Sequence, residues 1–390
     1  MRGMHPSRRG QRIWAALLPA GAVLLLATAG CSASVSPTAA TSPQASSSPS
    51  PTLSPLPHGT LFLGGSILSG MTETSASDAW AVGSIPTARD GSTADSRSAA
   101  LIVHWNGTTW SQVAVPEAGS VEALTGVAAT SATDAWAVGS YYNTRTLILH
   151  WAGSSWQEVA SPTGGVLTGV AVGPSGVAWA VGQTINGWPL ILRLVGGKWQ
   201  NVTAPDLPST VLESVVATSP SNAWAVGVSD TKPLILHWNG TAWSKAPVPS
   251  PAGGGTLEDV TAAQDGTAWA VGTSFAAPGR TFILRWNGTV WTQVPSPTPA
   301  SGAALEGVTA SGTKGAWAVG TELANPGRTF VLRWNGTSWT QVPSPDPGTK
   351  SDTLTRVVAI PGGPTWAIGY ESGVGPIILR WTGSRWSATQ

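Results

Sequence analysis

Residues 315–345 read GAWAVGTELANPGRTFVLRWNGTSWTQVPSP. A short apolar run (316–320) is followed by a variable loop, a second run (329–334), an Asn335-Gly336 turn and a third run opening at Trp339. Working outward from this stretch, the same pattern is found seven times. Its first tryptophan recurs as Trp80, Trp136, Trp179, Trp224, Trp269, Trp317 and Trp366. The tryptophan after the turn recurs as Trp110, Trp156, Trp199, Trp243, Trp291, Trp339 and Trp386. A period of about 40–50 residues signals one closed or stacked repeat array rather than several unrelated domains.

Each unit offers four short extended runs, which in the sixth unit span 305–310, 316–320, 329–334 and 339–342. They are rich in Val, Leu, Thr and Trp and are bounded by Gly, Pro, Ser or Asn, as strands are. None has a helical period. The units open near Leu68, Leu124, Leu167, Leu212, Leu257, Leu305 and Leu354. Seven groups of four strands predict an all-β, seven-bladed β-propeller of four-stranded antiparallel blades.

The turn before the fourth strand carries Gly in its second place in every unit, preceded by Asn in four of them. Asn-Gly predicts a two-residue type I′ hairpin loop, whose central residues need positive φ. That register sets Leu332 opposite Trp339, with Trp334 on the same face. Twenty of the 22 tryptophans fall in three repeat places. Burial of such a ring removes about 150–250 Å² from water, so the tryptophans are read as the core and not as a sugar-stacking platform. The residue before the middle tryptophan is always basic: His104, His150, Arg193, His237, Arg285, Arg333, Arg380. One per blade, these residues are too dispersed to converge on a metal ion, and cation–π stacking on tryptophan is expected instead. Prolines after the fourth strand, as in Val-Pro-Ser-Pro at 342–345, suit an outer edge that must not pair further.

The remainder of the chain reads differently. Residues 1–31 have a basic start (Arg2, Arg8, Arg9, Arg12) and an apolar stretch at 13–26, and they end Ala-Thr-Ala-Gly-Cys. This is a signal peptide with a lipobox-like end, with Thr28 where Leu is usual. Ala27-Thr28-Ala29 also fits ordinary cleavage and free secretion, and an uncleaved anchor is a third alternative. The position of the sole cysteine, Cys31, favours lipidation there and anchoring to the cell membrane. Residues 32–58 are Ser/Pro/Thr-rich and expected to form a disordered linker, which leaves 59–390 for the propeller. Charged residues make up 10% of the chain and the net charge is +1. With no basic stripe, nucleic acid is not an expected partner.

Units such as Asp134-Ala-Trp-Ala-Val-Gly139 followed by Leu147-Ile-Leu-His-Trp151 and Gly-x-x-Trp resemble the repeats of secreted bacterial propellers of the BNR/Asp-box and kelch-like kind. The third-to-fourth hairpin, Trp-Asn-Gly-Thr-Ser-Trp, has Asn where the Asp-box has Asp and lacks its leading Ser. The resemblance spans Leu68 to Gln390 and implies the fold; relatives of that kind include sialidases, photosystem II assembly factors and galactose oxidase. Galactose oxidase chemistry needs a Tyr–Cys crosslink, and Cys31 lies outside the propeller. Neither cofactor nor metal is expected. A sialidase-like site needs an arginine triad and a Tyr–Glu pair. Tyr370-Glu371 with Arg145, Arg280 and Arg328, which lie in equivalent loops of different blades, are the residues this chain would offer for it.

The second-to-third-strand loops and the links between blades share one rim. There the units vary most, and there lie Tyr141, Tyr142, Trp188, Phe275 and Tyr370. With Arg280, Arg328 and Glu371 they make the candidate ligand-binding set. The alternative for these aromatics is a covering role at the ends of the core, Trp188 compensating for Leu194, which stands in the middle tryptophan place of the third unit. The expected function is that of a monomeric, extracytoplasmic, non-catalytic binding or scaffolding module for a protein or glycan at the cell surface. The alternative is a carbohydrate-active enzyme, a sialidase-like glycosidase or lyase, on the same fold.

Overall fold

A computed structural model describes residues 65–86, 98–116, 122–162, 164–263, 265–312, 315–360 and 363–389. The leader with Cys31 and the linker lie outside the described residues, as does most of the loop at 84–100. Among the described residues there are twenty-eight strands, numbered β1 to β28 along the chain, and one 3-10 turn at Pro174–Gly176. They form seven four-stranded antiparallel sheets, each from four consecutive strands. The innermost strands are β1 (Ile67–Ser75), β5 (Glu122–Ser131), β9 (Val166–Val172), β13 (Thr210–Ser219), β17 (Gly255–Ala262), β21 (Ala303–Ser311) and β25 (Asp352–Ala359). Each packs beside the next, and β25 packs beside β1, so the ring closes. This is the expected seven-bladed propeller around a central channel.

The sixth blade shows why the repeat folds this way. Its strands are β21, β22 (Gly315–Glu322), β23 (Arg328–Trp334) and β24 (Trp339–Gln341). Leu305, Val319, Val331 and Leu332 are fully buried because neighbouring blades cover both faces. The register of β21 on β22 shifts between Leu305 and Gly307, a bulge that presses the inner strand against Gly320. A Cβ on Gly320 would stand 2.0 Å from the Ala304 carbonyl oxygen, so only glycine fits. The last residue of each Ala-Trp-Ala-Val-Gly run is therefore set by this bulge.

Tryptophans join the blades. Trp317 of the sixth blade meets Trp381 and Trp386 of the seventh at ring centroid distances of 4.9 and 5.3 Å. Trp366 of the seventh meets Trp105 and Trp110 of the first at 5.1 and 5.7 Å, which carries the same contact across the ring closure. The basic residue of each unit covers the outer face of its own first tryptophan, as cation–π packing predicts. Arg333 lies 5.0 Å above Trp317, and His150 stacks on Trp136 at 4.1 Å. His104 and His150 also lie 2.7 Å from Asp78 and Asp134, and His237 donates to Asn222 Oδ1 at 2.7 Å.

Two local expectations are corrected. The Asn-Gly hairpins are four-residue loops: Trp334 pairs with Trp339, and Leu332 with Gln341. Asn335 Oδ1 accepts hydrogen bonds from the Thr337 and Ser338 amides, while Gly336 alone takes positive φ, at 101°. Asn thus acts through its side chain as a turn former and not through a left-handed backbone. The register moves by two residues, so Leu332, Trp334 and Trp339 still share one buried face. Trp188 does not substitute for Leu194. Leu194 pairs with Trp199 at the turn end of the third blade, whereas Trp188 precedes that strand at the loop end and is 40% exposed.

Candidate functional site

The loop rim is built by main-chain hydrogen bonds that tie each link to the loops beside it. The Thr210 amide donates to Gly187 O and the Asp230 amide to Ser209 O, so the link before the fourth blade holds the loops of blades three and four. Equivalent bonds run from Ala303 to Gly279, from Leu323 to Gly302 and, across the closure, from Gly65 to Val374. A platform held in this way presents its side chains from fixed backbone positions.

On this rim the candidate residues have different surroundings. Tyr142 is 55% exposed and takes a positive φ of 49°, and Trp188 and Phe275 are also solvent-facing. Tyr141 is buried, with the Arg145 guanidinium 4.0 Å above its ring, and belongs to the core shared by the first two blades. Arg280 and Arg328 open the third strands of the fifth and sixth blades and are exposed at corresponding places. Tyr370 and Glu371 are consecutive on β26 (Thr365–Glu371), so their side chains leave opposite faces of the strand. Glu371 accepts from the Thr349 and Lys350 amides and fastens the link before the seventh blade. Tyr370 turns toward Glu306: burial first, and then the Glu306 charge, push its phenol up.

Glu306 leads to a cluster that the loop-based reading of the sequence missed. In blades two, three and seven the residue after the inner-strand leucine is Thr125, Thr168 or Thr355. Each hydroxyl donates to the next blade's leucine carbonyl: Thr125 to Leu167 O at 2.7 Å, Thr355 to Leu68 O at 3.0 Å, and Thr168 to Leu212 O. In blades four, five and six the same place holds Glu213, Glu258 and Glu306. Three adjacent blades therefore exchange a seam-bonding hydroxyl for a carboxyl facing the channel. Glu213 lies three residues inside the rim-bonded Thr210, or ~10 Å along the strand, so the cluster sits just within the loop-side mouth.

The following residue completes the arrangement. Most inner strands carry glycine there because the next strand is too close: a Cβ on Gly307 would stand 2.9 Å from Arg356 Cα. Blades four, five and seven instead carry Ser214, Asp259 and Arg356. Asp259 Oδ1 accepts from Ser214 Oγ at 2.7 Å and Oδ2 from the Val308 amide at 2.9 Å. Arg356 Nη1 donates to Glu306 O at 2.9 Å and stands 3.7 Å from Asp259 Oδ1. Arg356 thus pairs with the Asp259 carboxyl, and its charge also acts on the carboxyls of Glu213, Glu258 and Glu306.

The electrostatic consequence is direct. Each glutamate keeps some accessible surface in the channel, but the ring of protein around it removes most of the water that would stabilise a charge. Burial first, then the charge of Glu258, pushes Glu213 up to about 8, with Arg356 opposing. Glu306 is raised to about 8 by the same causes in the same order. Glu258 is raised too, by burial first. Burial thus favours the protonated form of these carboxyls near neutrality. No group of three or more His, Cys, Asp or Glu suited to holding a metal ion occurs among the described residues.

No protein-family model matches this chain, and no curated protein matches it in sequence. Solved structures match its fold. YCF48 bound to a D1 peptide is 16% identical with a TM-score of 0.56, over 83% of this chain and 95% of that one. A virginiamycin B lyase from Staphylococcus aureus with quinupristin is 16% identical with a TM-score of 0.59, over 84% and 96%. The GH74 xyloglucanase from Xanthomonas campestris is 16% identical with a TM-score of 0.56; the match covers 84% of this chain and 55% of the enzyme. Similarity at this level establishes a shared seven-bladed architecture, which carries binding in one neighbour and catalysis in others.

Proposed function

We propose that this propeller is a non-catalytic binding module whose partner seats on the loop rim and places a cationic group in the channel mouth. The observation that supports it is the exchange of Thr for Glu213, Glu258 and Glu306 in three successive blades. That exchange removes three seam hydroxyls and gathers three ionisable carboxyls inside a loop rim that bears Tyr142 and Trp188 on the preceding blades. A cation entering the mouth displaces the protons that burial forces onto the cluster. Aromatic faces at the rim suit the same kind of ligand. A peptide segment bearing Lys or Arg combines both features, and a peptide-bound neighbour of the same fold accords with that choice. The test is a peptide array probed with the protein at pH 8.5. Lysine- and arginine-rich sequences are expected to bind, acidic ones not, and Trp188→Ala with Tyr142→Ala to weaken the signal. Equal binding of acidic and basic sequences overturns the reading.

We place the module outside the cytoplasm, anchored through lipidated Cys31. Labelled palmitate is expected to be incorporated by the wild-type chain and not by Cys31→Ser. Incorporation by both contradicts the anchor.

A further inference from the structure

Glu73 lies on β1, paired with Ala79. At the equivalent place the other inner strands carry Ala129, Val172, Ala217, Ala262, Ala310 and Ala359. These small residues fit where one blade's inner strand meets the preceding blade's first tryptophan; Ala217, for example, belongs to the core cluster of Trp179. For Glu73 the preceding blade is the last one, so its carboxyl enters the seam that closes the ring. Both carboxyl oxygens are sealed from solvent and make no hydrogen bond of ordinary geometry, and the same holds for the Trp366 indole nitrogen.

We propose that Glu73 is a protonation-controlled latch on the seam between the seventh and first blades: neutral, it lets the ring close tightly; ionised, it loosens that seam alone. Burial pushes the carboxyl up to about 8, against the opposing influence of the Trp366 indole and the Arg380 charge. The groups around it leave little else to compensate. Arg380, on β27 (Gly375–Trp381), is held 5.2 Å over the Trp366 ring. On β25, Arg356 is engaged at the channel mouth with Glu306 and Asp259. On β26, Tyr370 and Glu371 stand at the loop end, away from Glu73. On β2 (Asp78–Pro86), Asp78 is occupied by Thr74 and His104. The stretch of β5 level with Glu73 carries no ionisable residue.

The sign follows from linkage. Opening the seam returns the carboxyl to its ordinary value of 4.5, so opening grows easier as pH rises from 4.5 to about 8, and then levels off. Through Glu73 the seam between the seventh and first blades is tightest in acid and loosest in alkali, apart from what the channel glutamates of blades four to six contribute in the same range.

Amide hydrogen exchange of the full chain at pH 6 and pH 9, corrected for the intrinsic rate, tests this. The opening constant of β1 and β27 is expected to rise at pH 9 by at least about tenfold more than that of β5 and β9. Glu73→Gln should abolish this excess, and so should Glu73→Ala, which installs the residue five other blades use. The same excess in either variant, or an equal rise at the seam of blades two and three, overturns the proposal.

Discussion

The guanidinium of Arg356, on the innermost strand of the seventh blade, stands 3.7 Å from the carboxylate of Asp259 on that of the fifth. The contact spans the sixth blade, whose inner strand offers Gly307 at the level of crossing and so leaves room for it. Both side chains are largely withdrawn from water, at 19% and 11% exposure. Removing one member of such a pair leaves an uncompensated charge in a poor solvent. Arg356→Ala is therefore expected to destabilise the fold by about 3–5 kcal/mol, measured by urea unfolding at pH 7. Adding Asp259→Ala should cost less than the sum of the two single changes.

The raised glutamates make a second prediction, with its sign fixed by linkage. Glu306 has a folded-state value of about 8 against an ordinary 4.5, so its ionisation opposes folding. Stability declines as pH rises from 4.5 toward 8 and is flat beyond. Glu306→Thr, which supplies the residue of blades two, three and seven, should raise the melting temperature by an amount that grows across that window. A gain independent of pH would show that the hydroxyl matters and the charge does not.

Gly320 tests the bulge. With a Cβ 2.0 Å from the Ala304 carbonyl oxygen, Gly320→Ala forces main chain apart. A loss of about 3 kcal/mol or more is expected in chemical denaturation. Gly336→Ala, which places a side chain on a backbone of positive φ, should cost about 1 kcal/mol.

The tryptophans divide by place. Trp317→Ala opens a cavity between blades and should cost about 3–5 kcal/mol. Trp188→Ala, at the exposed rim, should stay within about 0.5 kcal/mol and should act on binding instead. Thermal melts of the two variants, read beside peptide binding, separate core from surface.

The repeat of Trp317, Trp334 and Trp339 was enough to predict blade number, strand order and the stacking of the basic residues, because each is a local pattern recurring at one period. The register at Asn335 differs by two residues from that of a type I′ loop, since Asn serves a turn either by its backbone or by its side chain. The channel cluster is legible in the inner strands and not in the variable loops. Leu212-Glu213, Leu257-Glu258 and Leu305-Glu306 align with Leu167-Thr168, and the change from Thr to Glu stands out once the inner strands are compared. What the sequence does not carry is convergence: that Arg356 reaches back past Gly307, or that Tyr141 turns inward while Tyr142 faces out, depends on ring curvature and bulges.

The central claim concerns the channel mouth, and titration calorimetry with hexalysine tests it most directly. At pH 8.5 the wild-type chain is expected to bind, with protons released to the buffer, and to bind more weakly at pH 6. The triple change Glu213→Gln, Glu258→Gln, Glu306→Gln should weaken binding at least tenfold, about 1.4 kcal/mol, and abolish the proton release. Hexalysine binding that is absent, or equal in the wild-type and triple-variant chains, contradicts the account.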